Sequence, residues 1–382
     1  PVPTYNKTFT WQTQYGFRYE ITKNLKVDFN ANRNAIVGEP PGRVNAKDRP
    51  SYELWKDSVM QNLGRFGLPT QYDHTVNVTY TLPLDKFPLT DWVTVNTTYG
   101  AGYKWDRAPL TQDSIGNTIQ NSRTVSINGQ MNFVNLYNKI KYLKKINDKA
   151  KGGAKKPQQG KDKGKDGKDG DKGKDDKGKK DDTPKKIDPL AGFARVLMAI
   201  RTGTLTYTQN NGTLLPGWNR GPNVVGMDKG FGAPGYGFIL GEQNTNFSGD
   251  IVRDFATRAA SNDWLVKTES IFTPYTSNRT ENITARLNLE PFKGMRVDLS
   301  ANRTSTDNRS SFFRWRNDPS GTGGQYVNDS PRETGAFSVS MLNWPTTFAK
   351  DDENFVNQLF TNLLAYRQTI SERLGKAREA EL

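Results

Sequence analysis

The chain contains no cysteine and one histidine, His74, in 382 residues. Disulfides and thiolate metal sites are therefore excluded, as are zinc centres that need several imidazoles. A histidine-dependent catalytic triad would have to be built on His74. That residue begins a strand on its apolar parity, which points to a packing or rim position. No run of the roughly 18 apolar residues that a membrane-crossing helix requires is present. The glycine pairs Gly230-Phe231-Gly232 and Gly235-Tyr236-Gly237 lack the Lys-Ser/Thr that completes a phosphate loop, and no EF-hand loop occurs. Carboxylates are scattered, with no pair in a context that would raise a pKa by burial. These absences argue against an enzyme, a cofactor and a resident metal.

The charge is also less informative than its size. Of the formal +14, +8 comes from the segment Lys144 to Lys186, where 17 lysines stand against 9 aspartates. Nothing apolar in 149–182 can offset the entropy of ordering it, so a disordered tether is expected there. The interspersed aspartates weaken any attraction to phosphate, and nucleic acid is not an expected partner. The chain opens Pro1-Val2-Pro3 without a methionine, which reads as an interior piece of a longer protein.

What the sequence does have is alternation. In Lys23-Asn24-Leu25-Lys26-Val27-Asp28-Phe29-Asn30-Ala31-Asn32-Arg33 one parity is apolar and the other polar, and the pattern returns in Lys293-Gly294-Met295-Arg296-Val297-Asp298-Leu299-Ser300-Ala301-Asn302-Arg303. A period of two marks a strand with one apolar and one wet face. Val27, Asp28, Phe29 and Val297, Asp298, Leu299 are thus the repeated motif of two hairpins. Similar alternation predicts nine strands: 8–19, 25–33, 73–84, 91–105, 123–133, 192–209, 280–290, 295–303 and 335–343. Short helices are expected near 51–62, 136–146 and 252–258, and an amphipathic helical element over 349–382. The run 264–272 is assigned to a loop, because counting it as a strand would break the in-and-out order of the connections.

Strands of nine to twelve residues, aromatic clusters at strand ends and a continuous polar parity are the pattern of a transmembrane barrel. The fold class read from this is all-β: an antiparallel transmembrane β-barrel segment, about nine strands of a larger barrel, with long outer loops and a C-terminal helical element. The divisions follow as 1–143 with strands one to five, 144–189 as a periplasmic insertion, 190–343 with strands six to nine, and 344–382 as a helical periplasmic element. Long loops fall outside the cell. The Gly- and aromatic-rich segment after strand six is the candidate contact surface, through Trp218, Phe231, Tyr236 and Phe238.

Glu290-Pro291-Phe292-Lys293-Gly294-Met295-Arg296-Val297-Asp298-Leu299-Ser300-Ala301-Asn302-Arg303, with Pro189-Leu190-Ala191-Gly192-Phe193-Ala194-Arg195 and Asp263-Trp264-Leu265, resembles the SprA/Sov family. These are the giant outer-membrane translocons of the type 9 secretion system of Bacteroidota. The resemblance implies a protein-conducting path in the outer membrane that exports folded proteins and serves gliding motility. The partners it implies are cargo with a C-terminal targeting domain, a FadL-like barrel, periplasmic plugging or energising components and the lipid bilayer. Two other readings stand beside it. One is an uptake barrel of the TonB-dependent type. The other is a soluble or surface β protein that binds glycans or adheres through its aromatic loops, which needs no detergent.

Overall fold

The structure, a computed structural model, describes residues 9–39, 44, 46–109, 111–144, 198–244, 254–292, 294–320, 323–341 and 358–381. Among the described residues nine strands are formed: β1 Thr10–Thr22, β2 Leu25–Ile36, β3 Leu68–Leu82, β4 Val93–Asp106, β5 Asn117–Asn132, β6 Ile200–Trp218, β7 Tyr275–Phe292, β8 Met295–Asn317 and β9 Gly324–Val339. They lie side by side in sequence order as one sheet. Helices among the described residues include α1 Arg49–Gly64, α2 Phe133–Lys139, the single turn α3 Tyr236–Ile239, α4 Phe255–Ser261 and α5 Gln358–Glu381. The sheet and its connections make one unit, Pro1–Ser338, and Val339–Leu382 makes a second. In the second unit α5 exposes Phe360, Tyr366 and Leu374. The expected tether at 149–182 lies outside the described residues. β5 nevertheless pairs directly with β6, so the strands on either side of that segment belong to one sheet.

The alternation assigns each residue to a face. Tyr15, Ala31, His74, Tyr103, Asn121, Thr213 and Ser277 are cross-strand partners in succession and form one row across seven strands. This face carries the apolar parity. The opposite face is built of Asn, Thr, Ser, Gln and Gly with charged residues such as Arg18, Asp28 and Lys104 among them, and its polar side chains bond across strands. Examples are Thr124 Oγ1 to Asn210 Oδ1 at 2.8 Å, Thr206 Oγ1 to Asn128 Oδ1 at 2.9 Å and Thr81 Oγ1 to Asn96 Oδ1 at 2.8 Å. Such pairs hold adjacent strands in register.

The apolar face is covered along the half away from the β1–β2 and β7–β8 turns. The connection between β6 and β7 folds back over it as a cap. Sheet residues Phe29, Tyr72, Tyr103, Trp105, Ile119 and Leu215 form one core with Met227, Phe238, Ile239, Phe255, Ala259 and Leu265 of the cap. Phe238 stacks on Phe255 with ring centres 3.9 Å apart, and Tyr103 meets Phe238 edge-on at 6.1 Å. Toward the turns the same face is open, and Phe17, Tyr19, Leu205 and Leu299 are exposed.

The barrel expectation is overturned on two counts. Among the described residues the sheet is open, with β1 at one edge and β9 at the other, and no ladder joins them. The parity expected to touch hydrocarbon is instead packed, over the capped half, against a second layer of protein. Period two registers which side is apolar; it does not register what lies against that side. Among the described residues no helix is long and apolar enough to cross a membrane. With the barrel go the transmembrane strands, the outer-membrane placement and the assignment of 144–189 and 344–382 to a periplasm.

Several strands run further than alternation alone indicated. β5 starts at Asn117, β6 continues to Trp218 and β8 to Asn317. These extensions lie at the cap end, where polar residues occupy the apolar parity and blur the pattern. In β9 the pattern is broken by a change of face. Tyr326 stacks on Phe313 at 5.8 Å and Phe337 lies under Arg303 at 5.5 Å. Phe313 and Arg303 share a face of β8, yet Tyr326 and Phe337 differ in parity. The chain flips between them at Ser330, whose φ is 51°, as in a β-bulge. The run 264–272 contributes no strand, only an isolated bridge between Trp218 and Leu265.

The cap approaches the sheet most tightly at Gly226. Its φ is +77°, and a Cβ there would lie 2.6 Å from Tyr103 Cε1 and 2.8 Å from Tyr72 Cε1. Gly226→Ala is expected to cost about 2–3 kcal/mol, by combining a left-handed backbone with overpacking of two buried rings. Gly232→Ala, where an added methyl meets nothing within 4 Å, is expected to stay within about 0.5 kcal/mol of the parent. Urea unfolding of the two variants checks this; equal midpoints would refute a tightly packed cap.

Candidate functional site

A connection of this length buried against a sheet brings backbone carbonyls out of water, and each needs a donor. The sheet supplies them from its apolar parity. His74 Nε2 donates to Ile239 O at 2.9 Å, Trp105 Nε1 to Arg220 O at 2.9 Å, and Tyr326 Oη to Leu265 O at 3.0 Å. Asn121 Nδ2 donates to Phe238 O at 3.0 Å and to Glu242 O at 2.7 Å. Its Oδ1 accepts from Gln243 Nε2 at 3.1 Å, and Thr213 Oγ1 donates to Gln243 Oε1 at 3.0 Å. Tyr275 Oη donates to Asp254 Oδ1 at 3.1 Å, and that carboxylate also accepts from Ala256 N at the start of α4. Burial pushes the Tyr275 hydroxyl pKa up, and the neighbouring Asp254 charge adds to the shift.

His74 is therefore a fastener. It is buried, with Nδ1 3.2 Å from Tyr72 Oη and its ring 5.4 Å from that of Tyr103. With Nε2–H committed to the Ile239 carbonyl, Nδ1 accepts from the Tyr72 hydroxyl. Burial lowers the His74 pKa below the ordinary 6.5, opposed by the bond to Ile239 and the charge of Asp73.

The four aromatics singled out in the sequence separate in the structure. Trp218 and Phe238 are each 1% exposed and belong to the core under the cap. Phe231 and Tyr236 are exposed on the cap. Phe231 sits in a turn closed by Asp228, whose Oδ1 accepts from Gly232 N at 2.9 Å and Ala233 N at 3.2 Å. The repeated hairpin motif has the same job at both places. Asp28 pairs with Arg18 across β1–β2, and Asp298 accepts from Asn288 across β7–β8. The bond from Asn288, helped by Arg296, lowers the Asp298 pKa. Val27 and Val297 are half-buried, Phe29 is buried and Leu299 is exposed. These are sheet-building positions.

A cleft of about 390 Å³ lies beside the cap, walled by Gln112, Ser114, Ile115, Gly116 and Thr118 on one side, Pro216 at its base, and Ser270, Ile271, Phe272 and Thr273 on the other. Two close approaches set its shape. Gly116, at φ +72°, lies against the backbone of Gly217, and Gly217 lies against Ile271. Ile271 is buried and turns its neighbour outward, leaving the Phe272 ring 77% exposed at the mouth. None of the ten lining side chains carries a charge. Sequence reasoning missed this site because its walls come from two loops over 150 residues apart, and neither has a periodic signal. The one available hint was Ile271-Phe272, two large apolar residues in a segment that forms no strand. Among the described residues no group of three or more metal-ligating carboxylates or imidazoles occurs.

No family model matches the chain, and no curated protein matches it. The resemblance to the SprA/Sov translocons is thus left on short motifs alone. The structure uses them to build a hairpin (290–303) and a cap anchor, where Trp264 meets Trp218 at 5.6 Å and Leu265 bridges to it. The phrase 189–195 lies outside the described residues. An open sheet with protein over its apolar face does not support protein export, type 9 secretion or gliding motility, and those expectations are corrected here.

The buried imidazole makes the cap sensitive to acid. His74 has a folded pKa below its unfolded one, so between the two values the unfolded chain binds the extra proton. Its contribution to stability is full above about pH 6.5 and falls as the pH drops through that value, by up to about 1.4 kcal/mol per unit. Urea midpoints at pH 7.5 and 5.5 are expected to differ less in His74→Phe than in the parent, although the variant is weaker at both. An undiminished difference would assign the acid response elsewhere.

Proposed function

We propose that this chain is a non-catalytic binding protein that takes a neutral glycan in the cleft between 112–118 and 270–273. The single observation that carries this is the Phe272 ring, exposed at the mouth of an uncharged, hydroxyl- and amide-bearing concavity. Pyranose rings present an apolar C–H face and a polar rim. The C–H face suits the negative face of an aromatic ring, and the rim suits side chains such as Gln112, Ser114, Thr118 and Thr273. The volume falls within the range of small-molecule sites, which combine apolar surface with a few placed polar groups. The absence of charge in the lining selects against acidic saccharides, because no cation stands there to repay the desolvation of a carboxylate or sulfate. Phe231 and Tyr236 provide further exposed aromatic surface on the cap.

A panel of neutral and acidic oligosaccharides titrated calorimetrically tests the reading. Binding of a neutral member is expected, nearly unaffected between about 50 and 500 mM salt because no ion pair forms. Phe272→Ala is expected to weaken it roughly 10- to 100-fold, about 1.4–2.8 kcal/mol, with an unchanged melting temperature. Undiminished affinity in Phe272→Ala, or binding confined to acidic saccharides with strong salt dependence, would overturn the proposal.

A further inference from the structure

The two edges of the sheet are not alike. β9 carries the safeguards of an edge strand: the bulge at Ser330, Pro331 directly after it, and the charged residues Asp329, Arg332 and Glu333. β1 has neither bulge nor proline over Thr10–Glu20, and its charges there are Arg18 and Glu20. It contains no proline, its register with β2 is unbroken from Thr10 to Glu20, and its apolar parity exposes Tyr15, Phe17 and Tyr19. The direction of its backbone groups follows from one bond. Val37 N donates to Phe9 O at 2.9 Å, so the groups of residue 9 point inward to β2. By the alternation of an antiparallel ladder, those of residues 11, 13, 15, 17 and 19 do so as well. The N–H and C=O groups of Gln12, Gln14, Gly16, Arg18 and Glu20 therefore point outward from the sheet. Among the described residues β1 has β2 as its one strand partner.

We propose that β1 is an association edge, and that its occupant is β1 of a second copy of this chain, added antiparallel about a two-fold axis at Phe17. A two-fold interface requires the strand to be complementary to itself, and β1 is. With Phe17 facing Phe17 in the close, non-hydrogen-bonded pairing, Tyr15 faces the second copy's Tyr19 and the three aromatics of each copy form one continuous row. On the polar face, Arg18 falls opposite the second copy's Gly16 and Glu20 opposite its Gln14. No like charges stand directly opposite one another, and the two copies' Arg18 residues are diagonal neighbours across the axis. Each of the two charges is already paired within its own copy, Arg18 with Asp28 and Glu20 with Lys26. Four hydrogen-bonded residue pairs, or about eight main-chain bonds, then join two nine-stranded sheets into one. The glycan cleft lies in the cap-end loops, so this association is independent of that proposal.

Sedimentation of the 382-residue chain over about 1–100 μM is expected to show a monomer–dimer equilibrium. In Gln14→Pro the lost N–H is one that points outward, so the fold is retained, with unchanged circular dichroism and melting, while dimer formation is lost. Phe17→Lys and Phe17→Glu place like charges on the axis, and each alone is expected to be monomeric. An equimolar mixture of the two is expected to recover dimer, a result that misfolding cannot produce. A parent that stays monomeric at 100 μM overturns the proposal. So does a dimer that survives in both charge variants, or β1 rings covered by detergent or lipid vesicles in place of a second copy.

Discussion

The structure depends on one constraint: the carbonyl groups of a long, irregular connection must be satisfied once it lies on an apolar surface. A buried acceptor without a donor costs about 1–3 kcal/mol. The carbonyls of Arg220, Phe238, Ile239, Glu242 and Leu265 all meet donors reaching up from sheet side chains. Without Asn121, His74 and Trp105 at their positions, the cap would have to trade solvated carbonyls for a dry face. With them, apolar contacts such as Phe238 on Phe255 and Tyr103 become net favourable.

That constraint explains two of the four polar residues that look misplaced. Asn121, Gln209, Asn211 and Thr213 sit on the apolar parity of β5 and β6 and are nevertheless buried. Asn121 and Thr213 bond to the cap directly or through Gln243. The same end of the sheet then positions the cleft. Once Trp218 and Leu265 bridge and Val266 N bonds to Gly217 O at 2.8 Å, the chain after the bridge is brought against the 112–118 loop. Phe272 is presented because Ile271 beside it is buried.

Much of the fold was legible in the residues. The centres of β1 to β8 follow their alternation, because a half-buried strand must place its apolar side chains two apart. Arg49–Gly64 forms the helix expected near 51–62, with Pro50 in its first turn. The strand ends were not legible where Asn121, Asn211 and Thr213 stand on the buried face, since their burial depends on contacts far along the chain. β9 was misplaced because its bulge at Ser330 inverts the parity midway. The candidate site was less legible still: of the four aromatics chosen for their surroundings, two are core, and Phe272 had no pattern to reveal it.

By itself the sequence determined which side of each strand is apolar, the order of hairpins, and the absence of thiol or multi-imidazole chemistry. These depend on residues close together in the chain. Only the tertiary structure decided what covers the apolar side, because hydrocarbon and a protein cap select the same period-two alternation. It also decided that the sheet is open, and which edge is left with outward N–H and C=O groups. Those outcomes rest on contacts across more than a hundred residues, such as His74 to Ile239, which no local periodicity encodes.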